Sequence, residues 1–219
     1  LKGMKKASER IQIALDRKEK ILVYGDYDAD GISSTSLMIK LFAQLQANFD
    51  YYIPHRFHEG YGLNNEAIDR AKASGTDLIV TVDNGISALD QIAYANKLGI
   101  DVIVTDHHEP PDQLPPAYAI INPKQPGCEY PFKALAGAGV AYKLAQVLLA
   151  DQVPECYLEL AALGTIADIM PLTDENRWIV QRGLKAMNKS QLVGIRALLN
   201  VSNLTGKPIN ATQVCFALG

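Results

Sequence analysis

The sequence predicts an α/β protein of Rossmann-like type: a mainly parallel sheet flanked by helices, followed by a helical C-terminal segment. Two observations carry this. Short apolar runs alternate with helical patterns as far as "AYAII", and beyond Gly137 only helical patterns remain. Strands that are apolar without alternation are buried on both faces, and intervening helices supply the crossovers that parallel strands need.

The elements follow in order. Met4–Arg17 reads as an amphipathic helix, with Ala7, Ile11, Ala14 and Leu15 on one side. "ILVYG" (Ile21–Gly25) is a buried strand, and a helix is expected over Ile32–Gln46. "DYYIP" gives a second strand, the loop "HRFHEGYGL" follows, and Asn64–Ala73 is helical. Asp77–Val82 is a third strand, Ile86–Lys97 a helix and Asp101–Thr105 a fourth strand. After the proline-rich loop Glu109–Pro116, "AYAII" gives a fifth strand. Four helices are then expected over Gly139–Ala150, Glu155–Thr165, Glu175–Asn188 and Leu192–Asn200.

Composition narrows the class. The 219 residues are 48% hydrophobic and 21% charged, as in a water-soluble globular chain. Net charge is −3, so bulk charge does not announce a nucleic-acid binder, although aspartates that hold metal ions are counted in it. Cys128, Cys156 and Cys215 are far apart, which excludes a disulfide framework and a paired-cysteine zinc site and fits a reducing cytoplasmic setting. No signal peptide or apolar run of membrane length is visible, so no membrane partner is expected. The chain reads as part of something longer.

In open parallel sheets, ligands sit beyond the carboxyl ends of the strands. Three strand ends here carry chemistry: Asp26, Asp28 and Asp30 after the first, Asp83 and Asn84 after the third, and Asp106, His107 and His108 after the fourth. If Asp26–Asp30 is extended, its three carboxylates project to one side and repel one another unless a cation sits among them. The alternative is a turn, because Asp and Gly are common turn residues. "DYDADG" also matches the start of a calcium EF-hand loop, but a strand precedes it and the twelfth position is Leu37 rather than Glu, so that reading fails. "VDNG" alone is read equally well as a turn or helix cap, whereas adjacent histidines flanked by Asp106 and Glu109 favour a metal site. An oxygen-rich set with imidazole and no cysteine suits Mn²⁺ or Mg²⁺, and the surplus of ligands suits a pair of ions serving phosphoryl transfer.

Four segments together, "DADG", "VDNG", "DHH" and "ALGTIADIMPL", resemble the DHH phosphoesterase superfamily in order and spacing. "GDYDADGISST", "YYIPHRFHEGYGLN" and "GTIADIMPL" resemble its bacterial single-stranded-DNA exonuclease branch, and the likeness covers essentially the whole chain. It implies a 5′-to-3′ exonuclease of DNA repair and recombination with two Mn²⁺ or Mg²⁺ ions. It also implies helicase and single-strand-binding proteins as partners beside single-stranded DNA. Metal ligands are then Asp26, Asp28, Asp30, Asp83, His107 and Asp168, with Asp83 bridging the ions. His108 faces the scissile phosphate and Asp106 orients a histidine. Asp168 is promoted by the resemblance alone; unaided, it reads as a helix-end carboxylate. The catalytic α/β domain spans 1–170, and 171–219 is a helical segment leading to a second domain and an oligonucleotide-binding module not visible by Gly219.

Further residues carry two readings each. In "PHRFHEGYGL", Arg56 suits a phosphate and Tyr61 a base, or the loop is simply polar and exposed. The helix start at Gly137 and Gly139 suits a phosphate on its backbone amides, or close helix packing. Ser33 and Ser34 cap the second helix, or donate to a ligand. Two rival functions stand beside the exonuclease: a phosphodiesterase or phosphatase for short oligonucleotides or cyclic dinucleotides, and a non-catalytic DNA-binding scaffold.

Overall fold

The computed structural model describes residues 1–57, 62–150 and 152–218. Five strands make one sheet: β1 (Lys20–Tyr24), β2 (Asn48–Tyr52), β3 (Thr76–Val82), β4 (Asp101–Thr105) and β5 (Ala119–Ile121). Their order is β2-β1-β3-β4-β5, and every neighbouring pair is parallel. Helices α1 (Met4–Arg17), α2 (Ala29–Gln44), α3 (Asn65–Ala73) and α4 (Leu89–Lys97) alternate with the first four strands. The tail carries α5 (Gly137–Leu148), α6 (Glu155–Ala167), α7 (Asp174–Met187), α8 (Val193–Val201) and α9 (Ala211–Ala217). No helix among the described residues is long and apolar enough to cross a membrane.

Strand side chains alternate between two cores. Ile21, Val23, Leu78, Val80, Val82 and Ile103 meet α1, α2, α5 and α6 on one face. Leu22, Tyr24, Ile79, Val102 and Val104 meet α3 and α4 on the other. Both faces are dry, which is why β1, β3 and β4 read as unbroken apolar runs. Each fully buried large side chain contributes roughly 1.5–3 kcal/mol, so these central strands anchor the sheet. Strand β2 departs from the expected pattern: it lies at the edge, and Tyr51 is exposed. The tail joins the first core through Ile179, Val180, Met187 and Ile195. Helix α7 crosses α6 so closely at Gly183 that a Cβ there would run into Ala162 and the Leu158 carbonyl.

Two helices start three residues from where the periodicity predicts, both beside the strand-end clusters. Helix α2 starts at Ala29 rather than Ile32, because Asp28 caps it by accepting the Gly31 amide at 2.8 Å. Helix α4 starts at Leu89 rather than Ile86. The Ile86 amide is taken by Asp106 at 2.9 Å and Gly85 adopts a φ of 104°, which together hold the chain in a turn.

The strand order reverses at β1. The chain passes to β2 on one side, then returns to β3 on the other. The crevice beyond the carboxyl ends of β1 and β3 is thus the switch point at which open α/β sheets bind ligands.

Candidate metal centre

The loop after β1 is not extended through Asp30, as its i, i+2, i+4 spacing invites. Asp28 is the helix cap in the extended region, whereas Asp30 already lies in the first turn of α2. The three aspartates therefore reach the site by different routes. Asp26 is buried and accepts the Tyr27 amide at 2.8 Å, Asp28 is exposed at the rim, and Asp30 points inward beneath α5. Gly31 permits this tight winding, since a Cβ there would stand 2.6 Å from Asp26 Cβ.

Asp83 ends β3 with a φ of 62°, in the left-handed region that few side chains other than Asn and Asp enter readily. Its amide still donates to the Thr105 carbonyl at 3.0 Å, so the residue stays in the sheet while its carboxylate turns into the crevice. Asn84, fully buried, secures the turn by donating to the Val82 carbonyl at 2.9 Å and the Tyr24 carbonyl at 3.3 Å. Such strain persists where surrounding bonds over-determine it, and it clusters at functional sites.

After β4, Asp106 is a buried clamp. Its Oδ1 accepts the His107 amide at 2.7 Å, the His108 amide at 3.1 Å and His108 Nδ1 at 2.7 Å; its Oδ2 accepts the Ile86 amide. His107 is buried and aims Nε2 at three carboxylates: Asp83 Oδ1 at 3.1 Å, Asp168 Oδ2 at 3.6 Å and Asp30 Oδ2 at 3.8 Å. Asp168 is the C-cap of α6, so the fourth motif enters from a helix end rather than a strand end. Potential ligand atoms fall within 4.8 Å of one another in three sets: Asp26, Asp28 and Asp83; Asp30, His107 and Asp168; and Asp83, His107 and His108. Asp83 and His107 belong to two sets each, which makes the cluster one continuous cage.

Electrostatics fit a divalent cation in that cage. Burial pushes the Asp26 carboxyl up to about 6, and neighbouring Asp28 and Asp106 add to the rise. Burial holds Asp30 and Asp83 well above the usual carboxylate range, with Asp83 acting on Asp30 and Asp28 acting on Asp83. Burial raises Asp168 as well; His107, His108 and Lys124 oppose it. Carboxylates so placed take up protons unless positive charge replaces them, which is the condition a metal ion meets. Asp106 behaves oppositely: burial pushes it up, but the hydrogen bonds from the His108 side chain and from the Ile86 and His108 amides hold it low. Its bond to His108 raises the imidazole in turn.

Other expected site residues fare differently. The amides of Gly137 and Ala138, at the start of α5, bond the Asp30 carboxylate at 2.7 and 2.9 Å. That helix terminus holds an anion, as expected of it, but the anion is a protein carboxylate. Gly139 is a packing position, with a hypothetical Cβ 3.3 Å from Leu135 Cδ2. Ser33 donates back to the Ala29 carbonyl at 2.6 Å and Ser34 is fully buried, so neither caps α2. Arg56 is exposed with its guanidinium carbon 5.3 Å from the Tyr27 ring centre, beside the first cluster. Tyr61 lies outside the described residues. Sequence reasoning missed Asn122, Lys124 and Gly164. The first two follow β5, where the strand-end rule already pointed; Gly164 admits Asp30 and Ala138 so closely that a Cβ would sit 2.7 Å from Ala138 Cβ.

The model of the DHH family, N-terminal domain, matches residues 20–165. The chain belongs to the DHH family. Relatives agree with this placement. The single-stranded-DNA-specific exonuclease RecJ of Bacillus subtilis (strain 168) is 52% identical over 218 residues, covering 100% of this chain and 28% of its own length. RecJ of Escherichia coli (strain K12) is 44% identical over 235 residues, covering 100% of this chain and 41% of its own length. A crystal structure of exonuclease RecJ bound to manganese superposes with a TM-score of 0.89 at 37% identity, over 100% of this chain and 56% of that one. The chain therefore spans about a third of the curated relatives' length, 28% and 41% in these two. Within the DHH family match lie the strand-end clusters at 26–30, 83 and 106–108, while Asp168 lies just past its end.

Proposed function

We propose that this chain is the metal-bearing part of a 5′-to-3′ exonuclease that hydrolyses phosphodiester bonds of single-stranded DNA in repair and recombination. The observation that carries the reading is the cage of Asp28, Asp30, Asp83, His107 and Asp168, in a chain 52% identical throughout to a single-stranded-DNA-specific exonuclease. Its donors suit two Mn²⁺ or Mg²⁺ ions, which when bound supply Lewis acidity and a nucleophile at neutral pH.

The chain's own residues have distinct parts. Asp26, Asp28, Asp30, His107 and Asp168 would hold the ions, and Asp83, common to two ligand sets, would be shared between them. Asp106 fixes the His108 proton on Nδ1 and leaves Nε2 for the substrate. His108, with its side chain 45% exposed and biased towards the charged form, steers a phosphate oxygen. Arg56 pairs with a phosphate and Tyr61 stacks on a base. Residues 1–170 form the catalytic unit and 171–219 the helical segment that leads to further domains. Cytoplasmic location and helicase and single-strand-binding partners follow from the same reading.

The test uses the full-length protein with Mn²⁺ or Mg²⁺ on 5′-phosphorylated single strands. Mononucleotides released from the 5′ end, with duplex spared, are expected. Equal digestion of duplex, no digestion, or faster turnover of short oligonucleotides or cyclic dinucleotides overturns the reading.

A further inference from the structure

A cation stands beside the site at the end of the last strand. The β4–β5 register pairs Thr105 with Ile121, and the Asp106 amide donates to the Ile121 carbonyl at 3.0 Å. Asn122, fully buried, donates through Nδ2 to the His108 carbonyl at 2.9 Å, and its Oδ1 accepts the Lys124 amide at 2.7 Å. Lys124 is thereby fixed alongside the Asp106–His108 segment. Its side chain is 25% exposed, and Nζ lies 3.1 Å from Oε1 of Glu109, whose own side chain is 81% exposed.

We infer that Lys124 positions a phosphate of the single strand, and that Glu109 holds its ammonium until a phosphate oxygen takes the carboxylate's place. A pair between a largely covered lysine and a solvated glutamate is weak, because water screens the exposed partner. A phosphodiester brings a full charge that stays beside the ammonium when the strand covers the rim. Lysine acts on phosphate as a point charge on a flexible stem, so exchange of one anion for another needs only a rotation of the side chain. The inference rests on the exonuclease reading above.

The experiment compares full-length wild type with Lys124→Met, Lys124→Arg and Glu109→Gln on 5′-phosphorylated single strands over a range of salt. For Lys124→Met, KM rises about tenfold while kcat falls less than threefold, and the salt slope of KM drops by about one. Lys124→Arg restores most of the loss, and Glu109→Gln lowers KM. Unchanged KM and salt slope in Lys124→Met, or Glu109→Gln raising KM, overturns the inference while wild-type activity leaves the exonuclease reading intact. Wild type inert on single strands overturns both. If Lys124→Met does not fold, the direction of KM in Glu109→Gln decides.

Discussion

Gly137 donates its amide to the Asp30 carboxylate at 2.7 Å across 107 residues of sequence. With Ala138 beside it, the N-terminus of α5 offers Asp30 two donors and the positive end of a helix dipole. The glycine is obligatory for this approach, because a Cβ there would strike Asp83 Oδ1 and stand 2.6 Å from Asp83 Cβ. Two carboxylates of the cluster are thus spaced by one missing methyl group.

Gly137→Ala is expected to cost about 1–3 kcal/mol through overpacking and to lower activity far more than stability. Thermal unfolding and Mn²⁺ calorimetry on the same sample separate the two effects. Wild-type metal affinity in the variant would show that the spacing of Asp30 and Asp83 is unimportant.

Asp83→Ala should reduce turnover by several orders of magnitude and weaken binding of both ions, since the residue is shared between ligand sets. Loss of one ion only, read as a halved stoichiometry in calorimetry, would confine Asp83 to one set.

The metal-free protein should lose stability as pH rises. Asp26 titrates at about 6 in the fold, and Asp30 and Asp83 well above the usual range, all three raised chiefly by burial. Unfolded, such carboxyls titrate near 4, so between about pH 4 and the raised values the native state binds more protons than the unfolded state. Stability from these groups is full below that window and is lost through it. Tm of metal-free protein should fall as pH rises from about 4 through about 6, and a saturating divalent ion should flatten the slope. A metal-free Tm that climbs across this range contradicts the charge balance described here.

Chelation should lower Tm and abolish activity, and added Mn²⁺ should restore both. At 100 times its dissociation constant, an ion bound only by the native state adds about 2.7 kcal/mol. A Tm independent of metal concentration would argue against a preformed cage.

Asp106→Asn should cost about 10–100-fold in activity, as expected when a group orienting a functional histidine is altered. His108 should titrate at a lower pH in the variant, because its raised value depends first on the Asp106 bond. Imidazole resonances followed by NMR against pH give the shift directly.

The sheet was legible because its central strands are buried on both sides, so Ile21–Tyr24, Leu78–Val80 and Val102–Val104 carry an unbroken apolar signal. The strand-end rule then placed Asp26, Asp83, Asp106 and His107 at one rim without any contact information. It did not give the local conformation at Asp28 and Asp30, since a cap and a helical first turn look like an extended acidic run until the capping bond is seen. Asp168 carries no strand-end signal, because a helix C-cap delivers it. Gly164 and Gly137 act through side chains they lack, against residues far away in sequence, so periodicity says nothing of them. Asn122 and Lys124 follow the predicted fifth strand but carry neither a carboxylate nor an imidazole, so they give no metal-site signal.

The cage draws its donors from positions as distant as 26 and 168, by way of a helix terminus at 137. During synthesis, the early aspartates leave the ribosome long before their last partner. A half-made chain consequently owns carboxylates but no pocket for ions. The ligand set is completed late, as a by-product of tertiary closure.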